Sequence, residues 1–176
     1  RIMRDFALSK LVVCTDAGLS SKTNRSFNSF ANRAYVTVQS LKKLKQHLKD
    51  WALDPQAWHL NGSSTVFNLN DIDLEDNTAV YTKERWIHEN GLEERLIISF
   101  SPKFKRYQET IRGRQIERAC HQIEVKAPAR SAKNPNDPAR FIQELKTTPS
   151  GEVAQQRHLS LDLDKIDNER QYDGFY

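Results

Sequence analysis

Cysteine is nearly absent from this sequence: Cys14 and Cys120 are the only two in 176 residues, one in an apolar stretch and one in a helical stretch. They form neither a pairing pattern nor a metal-ligand spacing, so a disulfide scaffold is not the organising principle and a reducing cytoplasm is the simplest setting. Apolar runs approaching the ~18 residues that span a bilayer are lacking, as is a signal peptide, and no membrane partner is expected. Internal repeats and low-complexity tracts are also missing. The chain starts at Arg1 without an initiator Met and stops at Tyr176, which predicts a piece of a longer protein. Charge of one sign does not dominate either. Lys and Arg number 27 against 23 Asp and Glu, and a net +4 makes no case for a polyanionic partner unless the bases cluster. A hydrophobic content of 38% can build a core but sits slightly low, so much exposed loop is expected.

What is present begins with "KLVVCTDAGLSS". Leu11 to Thr15 is an apolar run of strand length ended by a turn signal, the pattern of a strand covered on both faces. Ser20 to Ala31 predicts a polar helix capped by Ser20 or Ser21, and "AYVTVQ", Ala34 to Gln39, predicts a β-branched strand. Strand, helix, strand favours an α/β segment, with 11–15 and 35–39 as neighbours in one sheet. Ligands meet such sheets at the carboxyl ends of the strands, where Asp16 falls.

The character then changes, and the chain as a whole reads as α+β. "LKKLKQHLKDW" spaces Leu41, Leu44, Leu48 and Trp51 as a helix would, with Lys42, Lys43, Lys45 and Lys49 on the other faces. "AVYTKERWI" and "LEERLIISFS" flank Asn90-Gly91 and predict an antiparallel hairpin over 79–88 and 92–100. Lys103 to Val125 predicts a long helix, and between 103 and 126 seven bases face three acids. Ala127 to Asp137 reads as a loop, "ARFIQELK" as a short helix, "LSLDLD" as a half-buried strand, and "YDGFY" as a tight turn entering an aromatic strand. Trp51, Trp58 and Trp86 are expected to be packing residues.

The chemistry open to Asp16 has two forms. A carboxylate at a strand end beside the small Ala17 and Gly18 suits a hard divalent cation, since Mg²⁺ is held by one or two carboxylates together with substrate phosphate and water. The same carboxylate can simply cap the turn that follows.

"FALSKLVVCTDAGLSSKTN", "RAYVTVQSLKKLK", "KERWIHENGLEERLIISFSPKFKRYQ" and the terminal "YDGFY" resemble, in order and spacing, the middle of bacterial insertion-sequence transposases of the DDE class. The branch is the insertion-sequence-four-like one, whose ribonuclease-H-like catalytic core is interrupted by a β-rich insertion. The resemblance covers almost the whole chain. It implies that residues 1–40 are part of that core, 41–171 the insertion, and 172–176 the start of the return strand. In that family the block around the second catalytic aspartate is an apolar run, Asp, Ala, Gly and a trailing Asn, which matches Asp16 and Asn24.

The resemblance implies an enzyme in which three acids hold two Mg²⁺ or Mn²⁺ ions for phosphodiester cleavage and strand transfer at DNA ends. It implies DNA as partner, a homodimer in the full-length complex and a bacterial cytoplasmic setting. The first aspartate is expected upstream of Arg1 and the glutamate, in a Tyr, Arg, Glu, Lys signature, downstream of Tyr176. That signature is missing from 1–176, because Tyr107 is followed by Thr110 where Arg is required. The chain alone is therefore expected to be inactive. Expected phosphate contacts are Lys42, Lys43, Lys45, Lys103, Lys105, Arg106, Arg112 and Arg114, with Phe175 and Tyr176 as candidates for stacking on an unpaired base. Other readings of the residues stay open: a different ribonuclease-H-like nuclease without strand transfer, or a non-catalytic nucleic-acid-binding or interaction module. Taken by itself, either basic helix can also be read as an ordinary solvated face.

Overall fold

A computed structural model describes residues 11–125, 134, 136–147 and 153–176. It has a mixed α and β composition in two compact units: residues up to Ile72 with Tyr81–Ser99 and Tyr176, and Asp73–Val80 with Phe100–Phe175. Residues 11–40 share a unit with 41–72 and 81–99.

The first unit opens with β1 (Leu11–Thr15), α1 (Lys22–Asn28) and β2 (Arg33–Thr37). The two strands pair in parallel, from Leu11 opposite Arg33 to Thr15 opposite Thr37. The second strand starts at Arg33, one residue before the expected Ala34, and ends at Thr37, two residues before the expected Gln39, because the ladder stops where β1 itself turns at Asp16; one bond, from the Val38 N–H to the Thr15 carbonyl, continues beyond it. Ser21 caps α1 by accepting from the Asn24 N–H. The expectation of a strand covered on both faces is corrected: Val12 and Val36 are 54% and 63% exposed, so one face is open. An apolar run of this length has no period that separates one-sided from two-sided burial.

The basic segment is also corrected. Leu41–Lys43 is a single 3₁₀ turn, Leu44 and Lys45 are extended, and α2 covers only Gln46–Leu53. Leucines three apart satisfy a 3₁₀ turn as well as an α-helix, so their spacing did not locate the break. Lys42, Lys43 and Lys45 precede the helix rather than decorating it.

A four-stranded sheet completes the first unit, ordered β4 (Val66–Phe67), β3 (Trp58–Leu60), β5 (Tyr81–Glu89) and β6 (Leu92–Phe100). The last two strands join through Asn90 and Gly91 at φ 56° and 77°, the left-handed pair that a two-residue antiparallel hairpin demands. Trp58 is fully buried, and its indole N–H donates to the Asp54 carbonyl at 2.8 Å. Lys83, also buried, donates to the Trp51 and Asp54 carbonyls at 3.0 and 3.2 Å, capping the end of α2. Burial pushes its pKa down, against the opposing pull of Asp54. Trp86 departs from the packing expectation: it lies on the outer face of the sheet and is 61% exposed.

The second unit is built on α3 (Pro102–Glu124), with Pro102 in its first turn and Ser101 as its cap. β7 (Ile142–Thr147) and β8 (Val153–Leu161) pair antiparallel, and α4 (Leu163–Arg170) follows. Ala119, Phe141 and Ile166 form the core. "ARFIQELK" is not a helix: a 3₁₀ turn over Pro138–Phe141 leads into β7. Pairing with β8, which local composition does not encode, decides the matter. "LSLDLD" is strand only to Leu161, because the Asp162 carboxylate accepts from the Lys165 N–H and starts α4. The expected loop at 127–137 lies mostly outside the described residues. "YDGFY" forms the expected turn, with Gly174 at φ 88° and Phe175 bridged to Phe100. Among the described residues no helix is long and apolar enough to cross a membrane.

Candidate functional site

Asp16 stands at the carboxyl edge of the parallel pair and is exposed. Its Oδ1 accepts from the Gly18 N–H at 3.0 Å, capping the 3₁₀ turn Ala17–Leu19. A Cβ at Gly18 would lie 3.2 Å from that same oxygen, tighter than ordinary contact, which accounts for the glycine two residues after the aspartate. Three further bonds hold the turn. Asn24 Nδ2 donates to the Leu19 carbonyl at 3.1 Å, the Thr15 hydroxyl donates to Thr37 Oγ1 at 2.8 Å, and Thr37 reaches the Asp16 carbonyl at 3.4 Å. The trailing Asn24 therefore ties the turn to α1. Asp16 keeps its second oxygen open to solvent, so it suits a single ligand position on a hard cation. Among the described residues, no group of three or more His, Cys, Asp or Glu side chains could hold a metal ion.

The basic candidates divide by environment. In the first unit Lys42 and Lys43 are exposed, and Lys45 pairs with Glu89 at 3.2 Å. In the second, Lys105 pairs with Glu109 one turn on, and Arg106 donates to the Leu74 carbonyl and to Asn77. Arg112 is corrected as a phosphate contact. It is 8% exposed, and its fork grips Asp173, itself 5% exposed, with Nη1 at 2.6 Å from Oδ1 and Nη2 on Oδ2. The hydrogen bond to Asp173 holds the guanidinium above its ordinary pKa, and no proton equilibrium near neutrality frees it. Lys103 and Arg114 are exposed. Phe175 packs edge-on against Phe100 at 5.0 Å, while Tyr176 is mostly exposed.

A cluster that the sequence reading missed lies in the first unit. Glu94 of β6 accepts from the Arg25 guanidinium at 2.5 Å and from the Tyr35 hydroxyl. Strand alternation put Glu94 and Tyr35 each on a definite face, but nothing in the sequence linked the two faces. Burial, then the hydrogen bond to Glu94 and its charge, push the Tyr35 pKa well above its ordinary value near 10. Because the folded pKa is the higher one, this contribution to stability is complete below pH ~10 and is lost as pH rises from there. In an alkaline titration followed at the tyrosinate absorbance, Tyr35 is expected to ionise late, only as the unit opens. Tyr35→Phe should remove that late step, and its persistence would show the assignment to be mistaken.

No family model, curated protein or solved structure matches this chain.

Proposed function

We propose that this chain is the central part of a DDE-class DNA transposase in which Asp16 is one of three acids that hold the catalytic metal ions. The observation that carries the reading is a solvent-open carboxylate at the carboxyl edge of a parallel strand–helix–strand, with one oxygen uncommitted. The resemblance of the flanking motifs supplies the rest. The ions, when bound, activate a water or 3′-hydroxyl and stabilise the leaving oxygen in phosphodiester cleavage and strand transfer. Asp16 contributes a single ligand to them. The other two acids belong to sequence outside residues 1–176, so this chain by itself is expected to cut no DNA with Mg²⁺ or Mn²⁺ present. Element ends are the DNA partner, and two copies act together in the full-length complex.

A second reading has an observation of its own: the Asp16 bond to the Gly18 N–H is a capping bond, and a cap needs no metal. Asp16→Asn in the full-length protein separates the two, since Asn caps as well as Asp but is a poor ligand for a hard cation. The expected result is loss of DNA cleavage by more than a hundredfold with thermal unfolding nearly unchanged. Cleavage retained at close to the parent rate would reduce Asp16 to a cap and remove the transposase reading.

A further inference from the structure

α3 sorts its bases. Lys105 is paired with Glu109, Arg106 is spent on the 74–77 segment, and Arg112 is buried on Asp173. Among the described residues, Lys103, Arg114 and Arg118 have no acidic partner, and all three are exposed. At 100° per residue these three and Tyr107 fall within about 60° of arc, over about 23 Å of helix. Tyr107 is 60% exposed and stacks on Phe104, a neighbour on the same helix, at 6.2 Å. Of the acids on the outer side, Glu117 lies about 40° outside this arc and Glu124, near His121 at 4.0 Å, about 60° outside it. A face that was merely solvated would intersperse acids and bases, as the opposite flank does with Lys105 and Glu109.

We infer that the Lys103–Tyr107–Arg114–Arg118 stripe of α3 is a docking surface for the phosphate backbone of duplex DNA. The inference rests on the proposed function for its choice of polyanion, and it adds Tyr107 and Arg118 to the contacts that the sequence suggested. The three charges neutralise phosphates and release counterions, which makes binding independent of sequence and steeply dependent on salt. The tyrosine hydroxyl adds an uncharged contact to a phosphate or sugar oxygen.

The test is fluorescence anisotropy of a labelled 25-base-pair duplex with the full 176-residue chain between 50 and 200 mM salt (about the range over which phosphate contacts are resolved). The parent chain should bind with a dissociation constant of roughly 10⁻⁶ to 10⁻⁴ M at physiological salt. The triple variant K103Q/R114Q/R118Q should bind more than tenfold more weakly, with the slope of log K against log salt reduced by about 2.7. K103R/R114K/R118K should keep both values, and Tyr107→Ala should weaken binding without altering the slope. Circular dichroism melts of all variants should match the parent, since each side chain is exposed. If the parent binds duplex and the triple variant binds equally well with an unchanged slope, the stripe is not the surface, although the DNA reading survives. If the parent fails to bind duplex at all, the transposase reading falls together with the stripe. Tighter binding to phosphatidylserine vesicles than to duplex would overturn the assignment in favour of a membrane.

Discussion

Arg112→Leu is expected to destabilise the second unit by about 3–5 kcal/mol, the usual cost of leaving one member of a buried ion pair without its partner. Both side chains are nearly inaccessible, and the two parallel bonds satisfy the fork and the carboxylate together. Removing the guanidinium leaves Asp173 charged in a site built for a cation. Asp173→Leu should cost a similar amount for the mirrored reason. The double variant R112L/D173L should recover most of the loss, because a buried pair replaced by apolar groups of similar volume is often neutral. Urea midpoints of the four proteins give the comparison. A single variant that loses less than about 1 kcal/mol would show that water reaches the pair and that its burial is overstated.

Gly174→Ala is the second large effect, expected at about 3 kcal/mol. Two independent causes converge on this residue. Its φ of 88° lies in the left-handed region, which costs an L-residue roughly 1–2 kcal/mol. A Cβ there would also sit 2.5 Å from Phe100 Cε2 and 3.0 Å from Lys105 Cβ. Neither neighbour is a flexible chain end, so relief requires moving an aromatic ring or the helix, which adds roughly 1–3 kcal/mol. The Gly174 N–H also donates to Gln108 at 2.7 Å, a bond that such a shift would stretch. Thermal melts of Gly174→Ala beside Gly113→Ala provide the control. Gly113 lies in α3 with open space around its Cα, so alanine there should stabilise by about 1 kcal/mol. Equal melting shifts for the two variants would mean that the turn at 172–175 is not closely packed.

Much of the fold was legible because its signals are local. β1 ends where an apolar run meets Asp16, and the hairpin turns at Asn-Gly. The errors arise where a local pattern fits two structures. β7 looks helical until β8 is laid beside it, and the 3₁₀ turn at Leu41–Lys43 imitates the helix that begins after Lys45. The candidate site follows the same division. Asp16 was found from its place at a strand end, whereas the fate of Arg112 depended on Asp173, 61 positions later. Helical period alone did put Arg112, Gln115 and Ala119 on one face, and that face is the buried one. Following the period rather than the charge would have removed Arg112 from the DNA candidates and added Arg118.

The order in which these partners leave the ribosome follows from the same separation. Arg112 is synthesised 61 residues before the carboxylate that neutralises it. At typical elongation rates α3 waits roughly 3–12 s for that counter-ion. During that interval the helix carries an arginine facing its own apolar side, and the seat for Gly174 beside Phe100 is empty. Closure of this unit is therefore a late event in biosynthesis, triggered by its final four residues, Tyr172 to Phe175, rather than by its longest helix.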